Sequence, residues 1–403
     1  MKYWALILLI AITFNAAANG SESVAGESCE RVDFTKSKTY EILHTGVPLI
    51  VAGFALKPAC KEFQYIRKSN FDDTRFYADD YIQYSPAALM IALKAVGIES
   101  RSSWGRMLTS SAMSVAVGSM MLNSVKRTAN VHRPDSGSNT SMPSGHTATA
   151  FMVATMLHKE YGARSPWYSI AGYSIAAATG AMRVVNNKHW VSDVMVGAGI
   201  GIIGTELGYF LTDLIFKDKG INKEFEEEFC PTWYNISSKS SLGFYLGVTT
   251  PLNQLSSTAE VNTGSRIGLD YSNMLFGNFG LGADLSLNTF SIDLEGEMQE
   301  QYLEIISTNI GGYYAQPISR RWRVGAKALV GMDYYKECGM EDELNISDGG
   351  HFAFGTGLSM EYLTNRHWSV KAFCDYNAAL LHDLPKASLH QTAIFGVRGN
   401  IIF

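Results

Sequence analysis

Hydrophobic and polar positions follow two different periods along this chain, and the period changes just after residue 216. From Tyr40 to Phe216 apolar and small residues come in runs near 41–57, 85–97, 104–125, 144–160, 166–182 and 190–216. Runs of that length predict six α-helices packed as a bundle. The run 107–125 lacks charge over a length that spans a bilayer, but Ser, Gly, Ala and Met dilute it; the last run carries Asp193, Glu206 and Asp213. Most of these segments therefore read as core helices. Residues Gly199 to Gly204 fit the form G-x-G-x-x-G, yet they lie inside an apolar helical run with no strand before them. With Gly197 and Gly208 they predict close helix packing instead of a dinucleotide site.

Residues 217–240, KDKGINKEFEEEFCPTWYNISSKS, are charged and then polar, and mark a boundary between a domain at 19–235 and another at 236–403. Glu226, Glu227 and Glu228 within it read as a solvated helix end. Beyond the boundary the period is two. Trp322, Val324, Ala326, Ala328, Val330, Met332 and Tyr334 alternate with a mixed polar set that includes Arg323 and Lys327. Trp368, Val370, Ala372, Cys374 and Tyr376 alternate with Ser369, Lys371, Phe373, Asp375 and Asn377, and the last strand sets Phe395, Val397 and Ile401 against Arg398 and Asn400. Eight strands are predicted, near 241–250, 265–275, 279–293, 300–315, 320–336, 351–363, 367–380 and 390–403, with connections alternating long and short. That asymmetry predicts an antiparallel eight-stranded transmembrane β-barrel of the outer-membrane type, its charges lining the interior. Phe403 at the end resembles the terminal signal of such barrels. A water-soluble up-and-down barrel is the alternative, with its apolar face inside.

Length and composition fit two domains: 403 residues exceed one ordinary core, and the 12% aromatic content and 37 glycines are high for a purely helical protein. A net charge of −5 argues against a nucleic-acid partner. Lys2, the apolar run Tyr3–Phe14 and the alanines 16–18 read as a secretory signal peptide, 1–18, and the apolar run is short for a membrane anchor. Export permits disulfides, but Cys29, Cys60, Cys230, Cys338 and Cys374 are odd in number and widely spaced, so no pairing is assigned.

The candidate chemistry falls between Lys126 and Asp193, in three clusters. KRTANVHRP places Lys126 seven residues before Arg133; PSGH covers Pro143 to His146; RVVNNKHWVSD contains Arg183, His189 and Asp193. Three fixed cations, one point charge and two planar forks, suit a tetrahedral oxyanion such as phosphate. Ser144 is a good N-cap, which would place the amides of Gly145 and His146 at a helix N-terminus, a second anion site. His189 and Asp193, four apart, would share a helix face, the carboxylate orienting the imidazole. Such a histidine can act as nucleophile, leaving His146 to protonate a leaving oxygen. A serine triad lacks a G-x-S-x-G elbow and leaves the three cations idle. A zinc site lacks both H-E-x-x-H and cysteines at metal spacing.

The spacing K-x6-RP, then PSGH, then R-x5-H-x3-D resembles the type-2 phosphatidic acid phosphatase superfamily, which also includes bacterial acid phosphatases and vanadium haloperoxidases. The resemblance covers roughly the N-terminal half. It implies that His189 attacks phosphorus to give a phosphohistidine, that Asp193 orients it and that His146 is the general acid. It further implies that Lys126, Arg133, Ser144, Gly145 and Arg183 cradle the phosphoryl oxygens, and that phosphatase chemistry needs neither metal nor cofactor. Met182 departs from the family pattern, which has serine just before the arginine.

Joined, the halves lead to an expected lipid phosphatase of the Gram-negative outer membrane, with its catalytic domain in the periplasm. Phosphatidate-like, phosphatidylglycerophosphate-like and lipid A substrates all fit. A tethered acid phosphatase acting on soluble esters, a vanadate-dependent haloperoxidase and placement in the inner membrane are the alternatives, and the oligomeric state is open. An eight-stranded barrel is filled by its own side chains, so an anchor is expected and not a conduit.

Overall fold

The computed structural model describes residues 38–57, 60–71, 74–135, 137–222, 240–254, 259–294, 297–319, 321–340, 344–365, 368–381 and 388–403. The expected signal peptide, Cys29, Cys230 and much of the boundary segment lie outside these residues. The chain divides into two compact units, Met1–Cys60 with Arg75–Glu226, and Lys61–Thr74 with Glu227–Phe403.

Among the described residues there are seven helices of eleven residues or more, where six were expected: α1 Gly46–Leu56, α2 Cys60–Phe71, α3 Ser85–Ala95, α4 Trp104–Ala129, α5 Gly145–Tyr161, α6 Pro166–Val185 and α7 Val191–Phe216. Two shorter ones, Lys38–Leu43 and Asp79–Ile82, accompany them. The unexpected helix, α2, reads CKEFQYIRKSNF. Its charges interrupt any apolar stripe, so periodicity gave no sign of it.

The first unit is built on α7, which packs against α4, α1 and α5. Among the described residues it is the one helix whose length and composition suffice to cross a membrane, but 67% of that window is buried inside the fold. Glycines allow the approach. A Cβ on Gly201 would stand 2.4 Å from Ala148 O, one on Gly204 2.7 Å from Gly118 Cα, and one on Gly208 2.4 Å from Ser114 N. The G-x-G-x-x-G match is thus a packing seam. Because the obstacles are backbone atoms, Gly201→Ala is expected to destabilise this unit by about 1–3 kcal/mol, against the ~1 kcal/mol that helix propensity alone gains. Thermal unfolding followed by helical circular dichroism reads the sign, and a stabilised variant would show that the seam is loose. The outer surfaces of α1, α3 and α4 carry exposed Phe54, Ile91, Leu108, Val115 and Met120.

The second unit contains, besides most of α2, an eight-stranded antiparallel barrel: β1 Ser240–Pro251, β2 Gly264–Phe276, β3 Phe279–Leu294, β4 Glu297–Pro317, β5 Trp322–Tyr335, β6 Gly349–Asn365, β7 Trp368–Leu381 and β8 Ser388–Ile402. Neighbours in sequence pair throughout, and β8 closes on β1 from Ile402 opposite Ser241 to Thr392 opposite Pro251. The third connection departs from expectation. The ladder between β3 and β4 runs on to Leu294 and Glu297, so strand replaces most of the long loop.

Alternation along the strands fixes the faces. Arg266, Asp270, Asp284, Asp333, Glu361, Lys371, Asp375, Arg398 and Asn400 are buried, whereas Phe244, Leu281, Ile310, Val330, Met332, Phe354 and Leu358 are exposed. Inside, Arg266 pairs with Asp284 at 2.8 Å, Arg323 with Glu361 at 2.6 Å, Lys327 with Asp375 at 2.7 Å, and Arg398 with Asp270. The water-soluble alternative requires the reverse arrangement. Aromatic pairs such as Phe279–Tyr314 and Trp322–Tyr362, with centroids 4.9 Å apart, sit near the ends of the strands joined by the short turns.

Candidate active site

The three clusters converge at one end of the helical unit. Lys126 lies in the last turn of α4, which Asn130 ends in a left-handed conformation at φ 42°. The following loop carries Arg133 and is stitched to the loop after α6: Lys188 Nζ reaches Asp135 Oδ2 at 2.9 Å, and Trp190 Nε1 donates to His132 O at 2.8 Å. Ser144 caps α5, accepting from Thr147 N at 3.4 Å and from Thr147 Oγ1 at 2.9 Å. Gly145 opens that helix with Lys126 above it, Nζ standing 3.6 Å from where a Cβ would be. Arg183 is in the last turn of α6, and Asp193 in the first turn of α7.

His189 is 3% exposed, and its Nδ1 lies 3.6 Å from Asp193 Oδ2. The pair does not share a helix face as the spacing suggested, because α7 starts at Val191 and His189 lies outside it. Asp193 instead turns back over the helix start. Its Oδ2 accepts from Trp190 N at 2.9 Å and from Ser141 Oγ at 2.5 Å, and its carbonyl accepts from Ser144 N at 3.0 Å. Asp193 thus ties the second and third clusters together, through its backbone carbonyl to Ser144 and its carboxylate to Ser141 just before PSGH.

Burial lowers the pKa of His189; Asp193 opposes that, and Arg133 and Arg183 reinforce it. Burial and then Arg183 lower His146, with Asp80 opposing. Lys126 is lowered by burial and then by Arg133 and Arg183. These couplings describe a compact positive cradle around both histidines. Arg133 Nε and Arg183 Nε, both buried, find no hydrogen-bond partner among the described residues. Such donors suit an incoming oxyanion.

Arg183 thus acts on Lys126, His146 and His189, and Arg133 on Lys126 and His189; Asp193 lies against His189, Gly145 lies beneath Lys126, and the eighth expected residue, Ser144, caps α5. Its side chain is fully buried in the cap. Four residues were missed: Ser141, Asn186, Asp79 and Asp80. Asp79 Oδ2 accepts from Arg183 NH1 at 2.7 Å, and Asp80 Oδ1 lies 2.8 Å from His146 Nε2. Adjacent acids in the aromatic stretch FYADDYIQY are the only trace they leave in the sequence.

A buried histidine–aspartate pair, a second histidine and three cations define a phosphoryl-transfer type of site in a helical frame. Residues 106–212 match the family described as the PAP2 superfamily, and the chain carries a domain of that family in its N-terminal half, followed by the closed barrel. A lipid A 1-phosphatase of Porphyromonas gingivalis is 42% identical over 177 residues, 44% of this chain and 40% of that protein; the match thus spans less than half of the relative's length. Similar solved structures include a transmembrane PAP2-type phosphatidylglycerolphosphate phosphatase from Bacillus subtilis (TM-score 0.33, 19% identity, 44% of this chain and 96% of that chain) and Aquifex aeolicus LpxE (0.28, 22%, 36% and 92%). Neisserial surface protein A is similar over 41% of this chain and 97% of its own, with a TM-score of 0.30 and 7% identity.

Proposed function

We propose that the helical unit is a phosphoric monoester hydrolase that removes a terminal phosphate from a membrane lipid. The observation that carries this is the convergence of His189, Asp193 and His146 with Lys126, Arg133 and Arg183. With Nδ1 turned to Asp193, Nε2 of His189 is the attacking nitrogen. It bonds to phosphorus as the ester P–O bond breaks, and His146 gives its proton to the departing alkoxide. Water then attacks the phosphohistidine, His146 takes back a proton, and inorganic phosphate leaves. The three cations and the amides of Gly145 and His146 balance the phosphoryl charge through both steps.

The lipid reading draws support from the exposed apolar residues on α1, α3 and α4, from the inside-out barrel, and from the relative whose name specifies lipid A. On this reading the barrel spans a Gram-negative outer membrane as a filled anchor, with the helical unit in the periplasm. Phosphatidate-like, phosphatidylglycerophosphate-like and lipid A substrates are the candidates. Phosphate release should be measured on lipid A, these phospholipids and soluble esters, with the His189→Ala variant beside each. Release confined to lipids supports the reading, and equal turnover of soluble esters replaces it with a tethered acid phosphatase. Outer-membrane fractionation and heat-modifiable gel mobility test the placement, which recovery with the inner membrane would overturn.

The electrostatics set the pH range. His189 must be neutral to attack, and its lowered pKa keeps it so into acid solution. His146 must be protonated, and its lowered pKa makes it lose that proton sooner. Both limbs of the kcat/KM profile therefore move to acid, and the optimum is expected below the ordinary histidine value of 6.5. A pH–rate profile peaking above neutrality would contradict these assignments.

A further inference from the structure

The one-turn helix Asp79–Ile82 brings two adjacent carboxylates to the site, and they divide between different partners. Asp79 is 1% exposed, and its Oδ2 accepts from Arg183 NH1 at 2.7 Å and from Asn186 Nδ2 at 3.2 Å. Asn186 also grips the preceding backbone, its Oδ1 accepting from Phe76 N at 2.7 Å and its Nδ2 donating to Phe76 O at 2.7 Å. The segment is thereby held against the end of α6. Asp80, next along, is left to face the second histidine: its Oδ1 lies 2.8 Å from His146 Nε2 and 3.8 Å from Arg183 NH1.

We infer that Asp80 is a positioning residue for the proposed general acid: it fixes the His146 ring through Nε2 and stabilises its protonated form between turnovers. The inference rests on the phosphatase reading above. Its physical basis is an imbalance of charge around His146. Half-burial disfavours an imidazolium, and Arg183 from α6 disfavours it further; Lys126 from α4 stands beside the neighbouring Gly145. The groups that favour it are Asp80 and, behind it, Asp79, whose Oδ2 is already engaged by Arg183 and Asn186. The pairing copies the relation of Asp193 to His189 with the opposite purpose. Asp193 orients a base that must attack, whereas Asp80 keeps an acid charged.

Asp80 also has the freedom to yield. Its side chain is 57% exposed, while Asp79 is held and buried. An arriving phosphate dianion competes with it for both His146 and Arg183, so the carboxylate must swing outward as the ester binds. The proton it has stabilised then stays on His146 for the leaving oxygen.

The test uses the full-length protein in detergent, with Asp80→Asn and Asp80→Glu. The pH dependence of kcat/KM for phosphate release is measured alongside a nuclear magnetic resonance titration of the His146 ring, assigned by its loss in His146→Gln. Asp80→Asn is expected to move both the basic limb and the ring titration to lower pH by about one unit, as loss of an opposite charge within hydrogen-bond distance does. Asp80→Glu is expected to restore most of that shift. An Asp80→Asn enzyme that is slower by one factor at every pH, or unchanged, with the His146 titration in place, overturns the inference. Wild-type protein silent on every phosphoester sinks the phosphatase reading itself, so the two failures are distinct. At its exposed position Asp80→Asn is expected to fold, and circular dichroism checks it.

Discussion

Replacing His189 with alanine is expected to lower phosphate release by at least about 10³-fold, because no nearby group can replace the bond it forms to phosphorus. Among the described site residues the alternatives are weak. Ser144 is fully buried in its helix cap, and His146 is engaged by Asp80. The cations that hold the phosphoryl group stay in place, so the variant should still bind an inert anion such as orthophosphate or vanadate. Arg133→Ala should behave in the opposite sense, losing affinity for that anion while His189 remains competent. The pair Asp193→Asn and His189→Ala should not add: once the nucleophile is gone, its orienting carboxylate has nothing left to orient. Measured release from a lipid phosphate at the acid optimum decides the matter. A His189→Ala enzyme retaining a tenth of its rate would remove His189 from the nucleophile's role.

The part of this site that the sequence discloses is the part whose residues lie close along the chain. Lys126 and Arg133 bracket one helix end, and PSGH starts another, so their chemistry shows in spacing alone. His189 and Asp193 were correctly paired but for the wrong geometric reason. The spacing suggested one helix face, whereas Asp193 reaches back over the helix start and serves Trp190 N as well. Ser144 was correctly read as a cap, its hydroxyl oxygen accepting from Thr147. Asp79 and Asp80 were illegible because their partners are 104 and 66 residues away, a distance at which no local period relates them. The barrel was readable through alternation, since a closed sheet demands one inward and one outward residue in turn. The hairpin between β3 and β4 was not, because its polar tip reads as loop although the ladder continues through it.

Removing the Arg398 side chain is expected to be among the most destabilising single changes in the barrel. Arg398 is 2% exposed; it pairs with Asp270 and lies over the rings of Tyr245 and Phe373 at 5.1 and 5.2 Å. If that partner is lost, the hydrogen bond left to Asp270 among the described residues is that of the Tyr313 hydroxyl, at 2.7 Å. An uncompensated carboxylate enclosed by the barrel wall costs about 3–5 kcal/mol. Arg398→Ala should therefore lower the temperature at which the folded band converts to the heat-modified one. Adding Asp270→Leu should recover part of the loss, because the orphaned charge goes with it. Phe354→Ala on the outer face should cost far less in detergent, which covers that face in either case. The comparison bears on function as well as folding. A large penalty with partial rescue means that the interior is dry and filled, leaving no path for a lipid or for water, and the barrel then anchors the enzyme. A penalty below about 1 kcal/mol, the range of solvent-exposed ion pairs, would mean that water reaches Asp270 inside the barrel, and the conduit that the packed interior argues against would have to be reconsidered.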